Sequence, residues 1–437
     1  MPDLATALSA TTTQSVLARA RAAANNPAAS ALAGNIDVAG GLGRFSATQA
    51  TGARIVDRAG GSYLDLCMGY GALVLGHAAA PVKDALQRQL EQGWMYGFAH
   101  PQQDQLAELI RAAAPGNERV ALCNSESDAT LLALRAARAV TGRDKIAVFG
   151  GSHHGLHDFA LVGESTSAAR AANDAPISRR GHRGAGIPKV IDEFVVVLPY
   201  GDPTAIDWIR SYAGQLAAVI AEPFVSARPS LQHKAWLLDM QAICRSTHTV
   251  FVLDETYSGF RLGYGGAQEL LGLSPDLVTY GNAMGGGLPI GAVAGRASAM
   301  APFTASDSSQ RIFSGTAHAG NPLSVAAATA VLEVLLTYRE EIYPQLGSAA
   351  NNLVDAFNAT ANDIGARAKM SAAGSVCAIQ FEPGQETIER DFYRALHARK
   401  IIVHASRRCF LSTAHTVADI IEISSALDES LRIATGS

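Results

Sequence analysis

The apolar and polar positions of this chain follow two rhythms. Short apolar runs recur at 120–123, 145–149, 194–198, 216–220 and 250–253. Between them, at 128–140, around Trp208 and at 237–246, apolar residues return every three or four positions. A nearly unbroken apolar run suits a strand buried on both faces, and the 3.6-residue period suits a helix laid on a sheet. The alternation predicts a doubly wound α/β domain with a mostly parallel sheet. Upstream, 55–58 and 63–66 flank a Gly60-Gly61 turn and predict a hairpin, and 80–92 predicts a helix. Downstream, an alanine-rich helix begins near Leu323, and 375–381 and 401–403 predict strands among helices, a smaller α+β domain. This divides the chain into an N-terminal arm with part of the small domain (1–70), a large α/β domain (71–310) and a C-terminal small domain (311–437). Residues 1–35, rich in Ala, Ser and Thr, read as an arm with a short helix at 15–22.

Composition narrows the classes of function. The chain has 437 residues, 48% of them apolar, which is ample for a large core. A net charge of −4 offers no broad attraction to nucleic acid or anionic membrane, and neither is expected as a partner. No apolar stretch of about 18 residues predicts a membrane span. The basic cluster Arg179-Arg180-Gly181-His182-Arg183 reads as a solvated loop. The five cysteines are scattered and form no CxxC pair, so neither a disulfide framework nor a zinc site is expected. With no basic region leading into an apolar core at the N-terminus, the expected location is cytoplasmic.

Candidate chemistry gathers just after the predicted strands, where ligands bind in parallel sheets. Asp254 and Glu255 end one apolar run and suit a cationic ring nitrogen, or a helix cap. Ser125-Glu126-Ser127 opens a helix, where free N–H groups bind phosphate, but Glu126 and Asp128 already satisfy the dipole. By itself that stretch reads better as an ordinary cap. His153 and His154 lie in a glycine-rich strand-end loop and suit proton transfer or ligand binding; their spacing is no metal-ligand pattern. The stretch 280–292 holds three consecutive glycines, Gly285 to Gly287, and one polar side chain before them, Asn282. Such a loop usually presents a reactive group, and asparagine is not a nucleophile.

Together these segments carry a resemblance. Asp254-Glu255-Thr256-Tyr257-Ser258-Gly259-Phe260-Arg261, followed by 265–269 and 275–279, resembles the class III aminotransferases. These are fold type I enzymes dependent on pyridoxal phosphate (PLP), and the chain looks most like the glutamate-1-semialdehyde aminomutases among them. Further matches at 71–77, 221–223, 320–323 and 411–416 extend the likeness over about residues 38 to 430. The resemblance implies a homodimer with active sites at the subunit interface. It also assigns Asp254 to the pyridine nitrogen, Ser125 and Ser127 to the phosphate, and position 153 to the aromatic that stacks on the ring, here His153. The partner subunit's threonine falls on Ala317, with Thr316 one position early and His318 one late. Arg44 resembles an arginine that meets a substrate carboxylate, and Tyr70 an aromatic beside the substrate.

The family's Schiff-base lysine, however, falls on Asn282, and its phosphate-site glycine on Glu126. Asparagine forms no imine and moves no proton. Lys83 and Lys145 lie on outer elements by pattern, and Lys234 is the least remote substitute. Several positions around one cofactor change while the scaffold motifs stay, which is the pattern of a repurposed pocket. Three readings remain open. One is an enzyme holding PLP or pyridoxamine phosphate (PMP) non-covalently, with a histidine as base. The second has no cofactor and performs acid–base chemistry with Glu126, Asp254, Glu255, His153 and His154. The third is a non-catalytic family member. For an enzyme, the expected substrate is small and bears an amine, carbonyl or carboxylate.

Overall fold

The computed structural model describes residues 38–43, 45–162 and 185–437. The 15–22 helix, Arg44 and the 179–183 basic cluster therefore lie outside the described residues. The described residues begin with an antiparallel set, β1 (Ala47–Thr51), β2 (Arg54–Asp57) and β3 (Ser62–Asp65), then helices α1 (Ala80–Gln92) and α2 (Pro101–Ala113). Next come β4 (Arg119–Cys123), α3 (Glu126–Thr141), β5 (Lys145–Phe149), β6 (Val195–Leu198), α4 (Pro203–Tyr212) and β7 (Leu216–Ala221). The sequence continues with α5 (Lys234–Ser246), β8 (Val250–Asp254), α6 (Gly266–Leu271), β9 (Leu277–Tyr280) and β10 (Gly291–Gly295). Two long helices, α7 (Pro322–Thr337) and α8 (Arg339–Asp363), lead into β11 (Ala368–Ala373), β12 (Val376–Phe381), α9 (Glu386–Ala398), β13 (Ile401–Ile402), β14 (Arg408–Phe410) and α10 (Val417–Thr435).

Seven strands form the central sheet in the order β4-β10-β9-β8-β7-β5-β6. Every residue of β7 and β8 is buried, as the unbroken apolar runs predict for strands covered on both faces. Helix α7 has an almost entirely buried surface, which explains its alanine-rich composition: small side chains let it press against its neighbours. The hairpin and the parallel strands stand where the apolar pattern predicts them. β10 departs from the pattern. It runs antiparallel to both β4 and β9, and its sequence, Gly-Ala-Val-Ala-Gly, is too poor in large apolar residues to announce a strand. Its glycines have a packing reason: a Cβ at Gly291 or Gly295 would strike neighbouring backbone.

Segments far apart in the chain meet here. β3 pairs in parallel with β13, and the Phe410 N–H donates to the Leu66 carbonyl at 2.8 Å. This join carries residues 66–71 and the β14 segment to the same side of the central sheet. No single helix among the described residues is long and apolar enough to cross a membrane.

Candidate active site

The loops after β4, β5, β7, β8 and β9 converge at one edge of the central sheet, outside the carboxyl ends of its parallel strands. Asp254, the last residue of β8, is the most deeply placed charge there. Its Oδ1 accepts from the Thr256 N–H (3.1 Å) and the Thr279 hydroxyl (2.9 Å), and its Oδ2 lies 2.6 Å from His154 Nδ1. Burial works to raise this carboxyl, but the bonds from His154 and Thr256 outweigh it and hold Asp254 below the ordinary carboxylate range. An ionised Oδ2 accepts, so His154 Nδ1 donates this hydrogen bond. The paired side chains are 3% and 0% exposed for His154 and Asp254. Of the two adjacent histidines, therefore, His154 turns inward as the partner of Asp254, and His153 is the partly exposed one.

Glu255 corrects the expectation that it lines the pocket. Its carboxylate turns away to accept from Ser258 Oγ, Ala267 N and Gln268 N at 2.8–3.0 Å. It caps α6, and a Cβ at Gly266 would collide with it.

At the opening of α3, Ser125 is a true N-cap: its Oγ accepts the Asp128 N–H at 3.1 Å. Ser127 Oγ accepts the Leu156 N–H at 3.0 Å, which fastens the loop after β5 to the helix start. Glu126 lies across the front of the helix. Its side chain packs where a Cβ at Gly281 would collide with it, and its Oε1 accepts the Asn282 N–H at 3.0 Å. Asn282 has φ +48°, and its Nδ2 donates to the Tyr70 carbonyl at 3.0 Å. Tyr70 sits at the mouth, its hydroxyl 2.9 Å from His404 Nε2. Thr316 is exposed and accepts from Asn124 Nδ2 at 2.6 Å, with Ala317 and His318 exposed beside it. Lys234 begins α5 as an exposed residue.

Three further residues lie in this candidate site, and their order in the sequence assigns a role to none of them. Glu222 follows β7, is buried, and accepts the His153 N–H at 3.2 Å. Burial pushes its carboxyl up to about 7, against the opposing pull of His154. Arg408, on β14, donates to Ser226 Oγ at 2.8 Å and lies 5.3 Å from the Tyr257 ring centre. Tyr257 stacks on Phe410 with ring centres 6.4 Å apart. Burial raises its phenol above the ordinary value; Arg408 opposes this, while Glu222, Glu126 and Asp254 add to it. These charges thus surround Tyr257. The position of Glu222 after an apolar strand was a usable signal. Arg408 gave none, because it arrives from nearly two hundred residues further along.

Glu222 yields a pH prediction. Its folded value near 7 stands above the ordinary value of 4.5, so the folded protein holds a proton there that the unfolded chain has released. Its contribution to stability is full below about pH 4.5 and is lost as pH rises through about 7. Glu222→Gln, a neutral mimic of the protonated form, is expected to remove up to ~3 kcal/mol of this pH-dependent loss. Denaturant melts at pH 5 and pH 8 check it; equal pH dependence in both proteins refutes the assignment.

The fold and the strand-end site define a fold type I aminotransferase architecture. Residues 39–420 match the aminotransferase class-III family, and the chain belongs to it. It is 33% identical over 402 residues to the glutamate-1-semialdehyde 2,1-aminomutase of Archaeoglobus fulgidus, covering 89% of this chain and 92% of that protein. The aminomutase of Methanopyrus kandleri is 32% identical, with 90% and 92% covered. Among solved structures, an omega-transaminase from Sphaerobacter thermophilus superposes with a TM-score of 0.84 at 29% identity, covering 90% and 92% of the two chains. A transaminase with PLP bound gives 0.85 at 25% identity, covering 97% and 98%.

Proposed function

We propose that this chain is an enzyme that performs acid–base chemistry on a small substrate bearing an anionic group, in an aminotransferase pocket that no longer carries a lysine-linked cofactor. The observation that carries the proposal is the Glu126–Asn282 contact. In the place implied for the phosphate, a carboxylate lies across the helix start and is fixed by the Asn282 N–H. A phosphate dianion there would meet a like charge in a partly desolvated site. At the other end, the Asp254 side chain accepts from three donors and is 0% exposed. The residues present do not fit the phosphate of a phosphorylated pyridoxal.

They do supply proton-transfer groups. Glu222 titrates near neutrality, where a general acid or base works best. Tyr257 keeps its proton and is a hydrogen-bond donor at that pH. Arg408 supplies a planar cation suited to a carboxylate. The homodimer that the resemblance implies would cover exposed apolar residues such as Trp94, Phe98 and Phe313.

The second reading, PLP or PMP held without a covalent link, draws support from Asp254, which stays anionic and so suits a protonated pyridine nitrogen. Calorimetric titration of the purified protein with PLP and with PMP separates the two. No saturable binding up to millimolar cofactor is expected. Saturable binding near micromolar overturns the cofactor-free reading in favour of the second.

A further inference from the structure

Four consecutive residues, Met68, Gly69, Tyr70 and Gly71, have φ of 46°, 60°, 58° and 92°. The left-handed region is routine for glycine and costly for Met and Tyr, so such a turn persists only where its surroundings hold it. At its start, Asp65 Oδ1 accepts the N–H groups of Cys67 and Met68 at 2.7 and 3.1 Å. Within it, the Gly71 and Leu73 N–H groups donate to the Met68 carbonyl, each at 3.1 Å. Beneath it, Arg261 Nη2 donates to the Gly71 carbonyl, and Phe410 packs so closely that a Cβ at Gly71 would lie 2.7 Å from its ring. The Tyr70 carbonyl has Asn282 Nδ2 as its donor at 3.0 Å.

Asn282 is itself left-handed, a conformation that asparagine tolerates better than most residues. From that backbone its N–H reaches Glu126 on the pocket floor while its carboxamide reaches the turn above. The turn in turn carries Tyr70, whose hydroxyl meets His404 and whose ring centre lies 4.4 Å from the His404 ring centre at the mouth.

We infer that Asn282 is a positioning residue: its side-chain amide braces the left-handed Met68–Gly71 turn and so fixes the Tyr70–His404 pair over the pocket, while its backbone fixes Glu126 below. A short side chain with an N–H donor is what this role requires, and it accounts for asparagine here where an imine-forming group is absent. The brace stands on geometry and holds whichever chemistry the pocket performs.

Two variants of the full-length protein test it without ligand or assay. Asn282→Asp keeps the shape and loses the N–H donor. Asn282→Gly loses the side chain but favours the left-handed backbone and keeps the N–H to Glu126, so the fold is retained. Amide hydrogen exchange is read by mass spectrometry on peptides covering residues 68–73. In both variants the turn is expected to exchange about threefold to tenfold faster, as the loss of one hydrogen bond implies, with peptides from β7 unchanged. Tyr70→Phe, which leaves the braced carbonyl in place, is expected to leave exchange of the turn as in the wild type. Wild-type exchange in Asn282→Asp overturns the inference, because the donor would then be dispensable. Equal acceleration in the β7 peptides of both variants also overturns it, because the effect would then be global.

Discussion

Asn282→Lys combined with Glu126→Gly is expected to bind PLP through a Schiff base that borohydride fixes to Lys at that position, whereas Asn282→Lys alone is not. In the single variant the new ammonium emerges beside Glu126, whose carboxylate already touches the backbone of residue 282. An ion pair there would hold the amine protonated, and a protonated amine does not attack an aldehyde. The same carboxylate would still oppose the phosphate. Replacing Glu126 by glycine removes both obstacles and exposes the N–H groups at the start of α3 to an anion. The double variant is expected to bind PLP on the order of 100-fold more tightly than Asn282→Lys, a difference of ~3 kcal/mol. Absorbance titration followed by borohydride reduction and mass spectrometry reads the result. A covalent adduct of equal affinity in Asn282→Lys alone would show that Glu126 does not guard the site.

Arg261→Met is expected to produce the largest loss of stability of any single change in the motif that follows β8. Arg261 is 1% exposed, and its guanidinium donates to Ser375 Oγ at 2.8 Å, the Leu411 carbonyl at 3.0 Å and the Gly71 carbonyl. It also lies 5.3 Å from the Phe410 ring centre. Burial lowers its pKa to about 10, so the group remains charged at neutral pH. The three acceptors belong to the Tyr70 turn, the β11–β12 turn and the segment after β14. Methionine fills the space and leaves buried carbonyls without donors, a cost of about 3–5 kcal/mol. Arg261→Lys is expected to recover less than half, because a single ammonium does not reproduce the planar fork. The midpoint of guanidinium chloride unfolding measures both. A loss below about 1 kcal/mol in Arg261→Met would mean that these acceptors find other donors.

The same residue shows how legible the chain is. The motif ending in Arg261 is readable, and it carries the family resemblance. Its function as a junction is not, because its three partners lie 114, 150 and 190 residues away along the chain. The candidate site divides in the same way. Asp254, Glu126 and Asn282 are visible because each ends or follows an apolar run. That Glu255 caps a helix, that His154 faces inward, and that Glu222, Tyr257 and Arg408 complete the site depended on side-chain direction, which a strand-end position leaves open.

Local order in the chain determined the elements, since a strand buried on both faces and a helix on one face each impose a period that any stretch of sequence displays. It also determined the family, because the glycine and acidic positions around β8 and β9 answer to close backbone packing. The absence of an imine-forming group at position 282 is likewise a fact of sequence. What Asn282 does instead follows from the folded arrangement alone. Its two hydrogen bonds reach Glu126, 156 residues away, and Tyr70, 212 residues away. Hydrogen bonds act over about 3 Å, and no pattern in a linear sequence encodes which distant groups the fold brings within that reach.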